Sequence, residues 1–179
     1  VQMSVLGADA AGKNSLRCRE ISGLFALVRQ LCLDLPVRSQ LILEPREDNK
    51  GCNLVLSNAP LAILPARQGG TLSLLTRKDA AGGAWQLILQ EVLQTTNDTG
   101  RVESVTNAFP LMKDLVSVEW WSGDSRNKEK EQPEWNDPIK PAYLKLVLVR
   151  RDGDRKITNA GIFWIPAGYG PGGQAPVDP

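Results

Sequence analysis

A chain of 179 residues, 42% of them hydrophobic and 23% charged, has the size and composition of one ordinary globular domain, which excludes a disordered or collagen-like chain. The formal net charge is +1 and the sequence contains no histidine, so nucleic-acid binding is not expected and the commonest general base is absent. No apolar run approaches the roughly 20 residues of a membrane-spanning helix.

The first predicted element is an amphipathic helix that begins at the candidate N-cap Asn14 and ends before Pro36. Apolar residues recur there at spacings of three and four, and charged residues largely fill the opposite face. Residues 1–13 are mostly small or polar, and we expect a flexible lead-in. The apolar face comprises Leu16, Ile21, Leu24, Phe25, Val28, Leu31, Cys32 and Leu35.

Beyond Pro36, short apolar runs separated by turn residues predict antiparallel strands and hairpins. The clearest hairpin joins residues 142–149 to residues 157–165 through Asp152-Gly153, a favoured type I′ turn pair. One helix followed by many strands predicts a single α+β domain over residues 14–166. The predicted strand runs are 41–43, 53–56, 61–64, 71–75, 85–93, 115–121, 143–149 and 157–165.

Two later regions are predicted to be irregular. Residues 121–141 contain three prolines and a Lys-Glu-Lys-Glu run, and we expect a long, mobile surface loop. Its oxygen ligands could bind Ca²⁺, but they lack the spacing of an EF-hand loop, so no metal site is predicted. Residues 167–179 are rich in Gly and Pro, which is typical of an extended tail.

The sequence does not predict an enzyme or a cofactor site. No serine lies in a recognisable motif with a lysine base, and the cysteines lack CxxC spacing. The sequence allows two states for Cys18, Cys32 and Cys52. All three can be free thiols, or two of them can form a disulfide and leave one thiol free. Carboxylates between residues 119 and 137 could form a glycosidase pair, but lysines interrupt them as on a solvated surface.

The five tryptophans have two expected locations. Trp85 and Trp164 lie in strand runs, where we expect core positions. Trp120 and Trp121 are adjacent, so in a strand they must point to opposite faces. One of this pair can enter the core, and the other then faces solvent, the neighbouring loop or a partner.

Several segments resemble the J-type minor pseudopilins of type II secretion systems, and the likeness extends over residues 22–166. The segment Phe25 to Leu35, followed by Arg38, is similar to the family's stalk helix. The other matching segments are Thr71 to Arg77, Leu115 to Trp120, Pro141 to Leu148 and Ile162 to Pro166. The family's Gly-Phe-x-x-x-Glu start and membrane helix are not found after Val1, and we expect a chain trimmed to its water-soluble part.

This resemblance implies a pilin-like α+β fold and a role without catalysis. The chain would be the periplasmic domain of an inner-membrane-anchored subunit that assembles with other minor pseudopilins at the tip of a secretion pseudopilus. The residues expected to bind partners are Leu16, Ile21, Leu24, Phe25, Val28 and Trp121. Two alternatives remain: a minor subunit of a type IV pilus, or a secreted or periplasmic module that stacks a flat ligand on Trp121, Trp135 and Tyr169.

Overall fold

The computed structural model describes residues 3–46, 51–61, 70–79, 83–96, 100–124 and 127–166, and side chains from residue 18 onward except 124–130. One helix precedes eight strands in these residues. The elements are α1 (Met3–Leu33), β1 (Gln40–Pro45), β2 (Cys52–Ala59), β3 (Gly70–Lys78), β4 (Trp85–Thr96), β5 (Val102–Asp124), β6 (Asn127–Gln132), β7 (Tyr143–Asp152) and β8 (Arg155–Trp164).

The described strands form a single antiparallel sheet. Its order is β1-β2-β3-β4-β5-β7-β8, and β6 pairs with β5 outside this path. The sheet curls into a half-barrel, and its strands contain far more residues than the helix. The predicted pilin-like α+β fold is therefore wrong, because strands make up most of the structure and join into one curled layer.

Strand β5 shows why the strand content was underestimated. It spans 23 residues, whereas the sequence predicted a strand only over residues 115–121, and the added part contains Pro110 and the Lys113-Asp114 pair. Register shifts opposite Leu87 accommodate these residues, and Asp114 takes a left-handed backbone with a φ of 58°. Bulges of this kind keep a strand continuous while bending it, which favours a curled sheet.

The core lies on the inner face of the half-barrel. Alternate residues of most described strands point inward, and leucine predominates among them. The buried strand residues include Leu41, Leu43, Leu54, Leu56, Leu72, Leu74, Leu87, Leu89, Leu115, Val118, Trp120, Leu144, Leu146, Leu148 and Phe163. Burial of one such leucine side chain stabilises the folded state by about 1.5–3 kcal/mol, so this face supplies much of the folding free energy.

Helix α1 packs against the last strand of the sheet. The ring of Phe25 meets that of Phe163 edge to face, with ring centroids 5.6 Å apart. Gly161 lies beside Phe25, and a larger side chain there would meet its ring. The helix begins at Met3, so residues 3–13 of the lead-in that the sequence predicted over residues 1–13 lie within it. The tail at residues 167–179 falls outside the described residues.

The opposite edge of the sheet is partly covered by the segment after β6. Leu43 N–H donates to the Trp135 carbonyl at 2.9 Å, and the Trp135 N–H donates back. Lys140 Nζ donates to the carbonyls of Pro36 and Val37 at 2.9 and 2.8 Å. Residues 133–141 of the predicted mobile loop are therefore tied to β1 and to the turn after the helix.

Among the described residues, no helix combines the length and the apolar character that crossing a membrane requires.

Candidate protein-interaction face

The helix residues expected to bind partners lie mostly inside the chain's own core. Ile21, Leu24 and Val28 are buried against the sheet, and Phe25 is half-buried on Phe163. The side chain of Leu16 falls outside those that the structure describes. Because the half-barrel itself covers the three buried side chains, a partner would have to contact other residues while the chain remains folded.

Trp121 has a different location from its neighbour. Trp120 is buried in the core, and Trp121 is partly exposed on the outer face of β5, as the alternation of a strand requires. The strand register places Trp121 opposite Lys145 of β7, and Lys145 opposite Ile162 of β8. Three adjacent strands therefore bring Trp121 to the same outer face as the exposed residues of β8.

The most exposed apolar residues of this face belong to β8. Ile162 is 50% exposed and Trp164 is 66% exposed, whereas Phe163 between them is buried. We call the group Trp121, Tyr143, Ile162 and Trp164 the outer aromatic face. Trp164 was expected in the core, and that prediction is wrong. The run Ile162 to Ile165 is apolar throughout, so its pattern alone does not say which residues point inward.

The ring of Trp164 is held by its cross-strand neighbour. Tyr143 lies opposite Trp164, and their ring centroids are 5.2 Å apart with the planes inclined by 62°. Gly123 lies opposite Tyr143 on the other side, and a Cβ there would overlap the Tyr143 ring. The missing side chain of Gly123 thus lets the tyrosine ring lie across β5 and pack against Trp164.

One ion pair lies within the outer aromatic face, because its lysine, Lys145, stands between Trp121 and Ile162. Lys145 Nζ is 2.7 Å from Glu131 Oε2, and the Tyr143 hydroxyl donates to Glu131 Oε1 at 3.5 Å. A partly exposed pair of this kind contributes only about 0.2–1 kcal/mol to stability. Its effect here is to hold Lys145 and Tyr143 in position, and it engages Glu131, one of the carboxylates that a glycosidase pair would need.

The same outer face becomes cationic towards the β7–β8 turn. Arg151 and Lys156 are cross-strand partners, and both are exposed. Like charges directly opposite each other destabilise an antiparallel pair. Between this cationic end and Ile162, the outward residues of β8 are Thr158 and Ala160, which are small and exposed. The outer side of β8 therefore changes from charged to aromatic along its length.

Exposed apolar residues also occur away from this face, namely Leu33, Val37, Val102, Val105, Phe109 and Ile139. On β5, Val102 and Val105 are exposed, but their odd separation directs them to opposite sides of the strand. Trp85, the other tryptophan expected in the core, is half-buried, and the Arg46 guanidinium lies 4.4 Å from its ring centroid. That ring is covered by a cation from its own chain.

The described residues offer little support for a metal or flat-ligand site. No group of three or more His, Cys, Asp or Glu residues that could hold a metal ion occurs in the described part of the chain. Trp135 is only 6% exposed, and its Nε1 donates to the Ile139 carbonyl at 3.1 Å. This ring is therefore not free to stack a ligand with Trp121, and Tyr169 lies outside the described residues.

The cysteines are free thiols in contrasting surroundings. Cys18 is exposed on α1, whereas Cys32 and Cys52 are buried. Burial raises the pKa of Cys32 to about 12. The pKa of Cys52 is raised by burial and by Glu134, with Arg46 acting in the opposite direction. Because the thiolate is the nucleophile, neither buried cysteine has the lowered pKa of a catalytic thiol.

No protein-family model matches this chain, and neither does any curated protein.

Proposed function

We propose that this chain is a non-catalytic assembly subunit that binds a protein partner through the outer aromatic face. The observation that carries the proposal is the exposure of Ile162 and Trp164, side by side on the last strand of the sheet. Exposed apolar groups of this kind, bordered by charged residues, are typical of protein contact sites. The charges here are Lys145, which pairs with Glu131 and lies between Trp121 and Ile162, and Arg151 with Lys156 towards the turn.

The arrangement of these side chains favours binding over chance exposure. Tyr143 restricts the Trp164 ring before any partner arrives, so binding would order few additional rotamers. Tryptophan and tyrosine are also among the residue types that contribute most to interface energies. Covering the face would remove apolar area from water at about 25 cal/mol per Å² before the costs of association are counted.

The sequence resemblance supplies a candidate partner. The hairpin that carries the face includes the segments Pro141 to Leu148 and Ile162 to Pro166, which resemble the closing hairpin of J-type minor pseudopilins. We therefore propose that the partners are other minor pseudopilins, at the tip of a secretion pseudopilus on the periplasmic side of the inner membrane. This proposal depends on sequence segments and on the exposed face, and it does not depend on a pilin-like fold.

A double substitution on the face tests the proposal. The variant Ile162→Ser with Trp164→Ser should retain the fold, because both side chains are at least half exposed. The matched control is Val102→Ser with Val105→Ser, which removes exposed apolar residues from another strand. Each variant is mixed with soluble domains of minor pseudopilins from the same organism, and complexes are separated by size-exclusion chromatography.

We expect the unmodified chain and the control variant to co-elute with a partner. The variant of the outer aromatic face should elute alone, with a binding constant at least about tenfold weaker, which corresponds to about 1.4 kcal/mol. Circular dichroism of all three proteins checks that the fold is retained. Co-elution of the Ile162/Trp164 variant with unchanged affinity would remove the face from the proposal.

A further inference from the structure

We propose that strand β8 binds an extended segment of its partner as an added antiparallel strand, and that this segment runs from apolar to acidic residues. The inference rests on the proposed function and specifies the chemistry of the partner. It depends on three features of β8: its place in the sheet, the order of its outward side chains, and the direction of every strand pair around it.

The place of β8 makes strand addition possible. It is the last strand in the sheet order, and β7 is the one strand that pairs with it among the described residues. An edge strand presents backbone N–H and C=O groups that another chain can pair with. The observed contacts of α1 with β8 involve Phe25 with Phe163 and Gly161, on the inner face. The outer face of β8 is exposed from Lys156 to Trp164.

The order of outward side chains along β8 predicts the chemistry of the partner. Lys156, with Arg151 beside it on β7, makes one end cationic, and Ile162 with Trp164 makes the other end apolar. A carboxylate next to the two cations would relieve their mutual repulsion, because opposite charges on neighbouring strands stabilise the pairing. Apolar side chains next to Ile162 and Trp164 would cover the exposed isoleucine side chain and the exposed indole ring. The small residues Thr158 and Ala160 leave space between the two ends.

The direction of the added segment follows from the rest of the sheet. Every described strand pair is antiparallel, from β1 with β2 to β7 with β8. An antiparallel partner would have its N-terminal residues beside Trp164 and its C-terminal residues beside Lys156. Its outward residues must therefore be apolar first and acidic later along the chain. A second copy of β8 does not meet this requirement, because its antiparallel pairing would place lysine beside tryptophan and would add no carboxylate.

Two peptides of identical composition test the direction and the chemistry together. The forward probe is Thr-Val-Thr-Ile-Thr-Thr-Thr-Glu-Thr-Glu-Thr, and the control is the same sequence reversed; both are capped and carry a fluorescent label. Binding to the whole chain is measured by fluorescence anisotropy. We expect the forward peptide to bind at least about tenfold more tightly than the reversed one, and to weaken as salt is added.

A charge reversal separates a direct contact from a general effect on folding. In the variant Arg151→Glu with Lys156→Glu, the preference should change to a forward peptide with lysine in place of both glutamates. The matched control is Lys113→Glu, another exposed lysine, which should keep the original preference. Equal binding of forward and reversed peptides, or an unchanged preference in the charge-reversed variant, would overturn strand addition.

The two levels of the proposal can fail separately. If the Ile162/Trp164 variant loses its partner but peptide direction makes no difference, the interaction face stands and the added strand does not. If the chain forms a dimer that the same double substitution abolishes, a second copy occupies the face and the proposed partner segment is wrong.

Discussion

At the scale of single residues, the proposed role of the hairpin depends on which way Trp164 points. Its neighbours Phe163 and Ile165 are buried, and Trp164 is exposed beside Tyr143. A shift of one residue in the register would exchange Phe163 and Trp164 between the core and the outer face. The contact of Phe163 with Phe25 of the helix opposes such a shift, because it would leave the helix packed against a different side chain.

The cysteines give a residue-scale prediction. At pH 8, alkylation of the folded chain should modify Cys18 quickly and leave Cys32 and Cys52 largely unmodified. The first thiol is exposed, whereas the other two are buried and have raised pKa values. Peptide mapping by mass spectrometry reports the three sites separately. In denaturant all three should react alike, and modification of Cys32 in the folded chain at the rate of Cys18 would contradict the buried location.

The same thiol makes stability depend on pH in a definite direction. The pKa of Cys32 is about 12 in the folded chain, compared with an ordinary value of 9.0 that applies after unfolding. Above pH 9 the unfolded chain loses this proton while the folded chain keeps it. The contribution of Cys32 to the free energy of unfolding should therefore be constant below pH 9 and fall above it. A Cys32→Ala variant lacks this part of the decline, which isolates it from other titrating groups.

At the scale of elements, helix α1 was predictable in part. The spacing of Ile21, Leu24 and Val28 predicted an amphipathic helix, and all three residues are buried. Its start was not predictable from the same argument, because residues 3–13 are mostly small or polar and have no apolar periodicity. The sequence pattern also indicated an apolar face without saying whether the sheet or a partner covers it, and the structure shows that the sheet does.

Removal of one ring tests the packing of the helix on the sheet. Phe25→Ala should lower the free energy of unfolding by about 2–3 kcal/mol, less than a fully buried phenylalanine, because this ring is half-buried. The matched control is Ser22→Ala, an exposed position of the same helix, which should change stability by no more than about 0.5 kcal/mol. Urea titration followed by circular dichroism measures both, and equal stability of the two variants would contradict the observed contact.

Strand β5 shows where local patterns lose their predictive value. It pairs with β4 up to Leu115 and with β7 from Leu115 onward, so one long strand connects the two parts of the sheet. Pro110 and Asp114 belong to residue types that are rare within strands, yet both lie within β5. Register shifts opposite Trp85 and Leu87 absorb them. Such irregularities arise from pairing with a distant strand, which a local pattern does not contain.

At the scale of the whole molecule, the sequence predicted antiparallel strands and the β7–β8 hairpin more successfully than the architecture. The predicted hairpin is present, but its two turn residues are Gly153 and Asp154 and not Asp152-Gly153, because Asp152 pairs with Arg155, and of the two turn residues Gly153 alone has a positive φ. The α+β prediction failed because the strands are longer than the predicted runs and join into one curled sheet, beside which the helix is a minor element. Curling into a half-barrel depends on long strands, bulges and the contact between β1 and Trp135, which join residues distant in the chain.

The interaction face was also predicted only in part. Trp121 was selected because adjacent tryptophans in a strand must face opposite ways, and it does lie on the outer face. Ile162 and Trp164 were missed as a pair, because a continuous apolar run has no alternation from which to assign faces. The observed register of the hairpin, which places Trp164 opposite Tyr143, is what assigns Trp164 to the outer face. The role in a secretion pseudopilus remains a proposal that depends on sequence resemblance.

The most direct test of the central claim is site-specific photocrosslinking in cells that express the full set of minor pseudopilins. A photoreactive residue in place of Ile162 should form an adduct with one of these subunits, because the outer aromatic face is where we expect the partner. The same residue in place of Val105, which is exposed on another strand, should form none. No adduct from position 162, together with a partner adduct from position 105, would contradict the account.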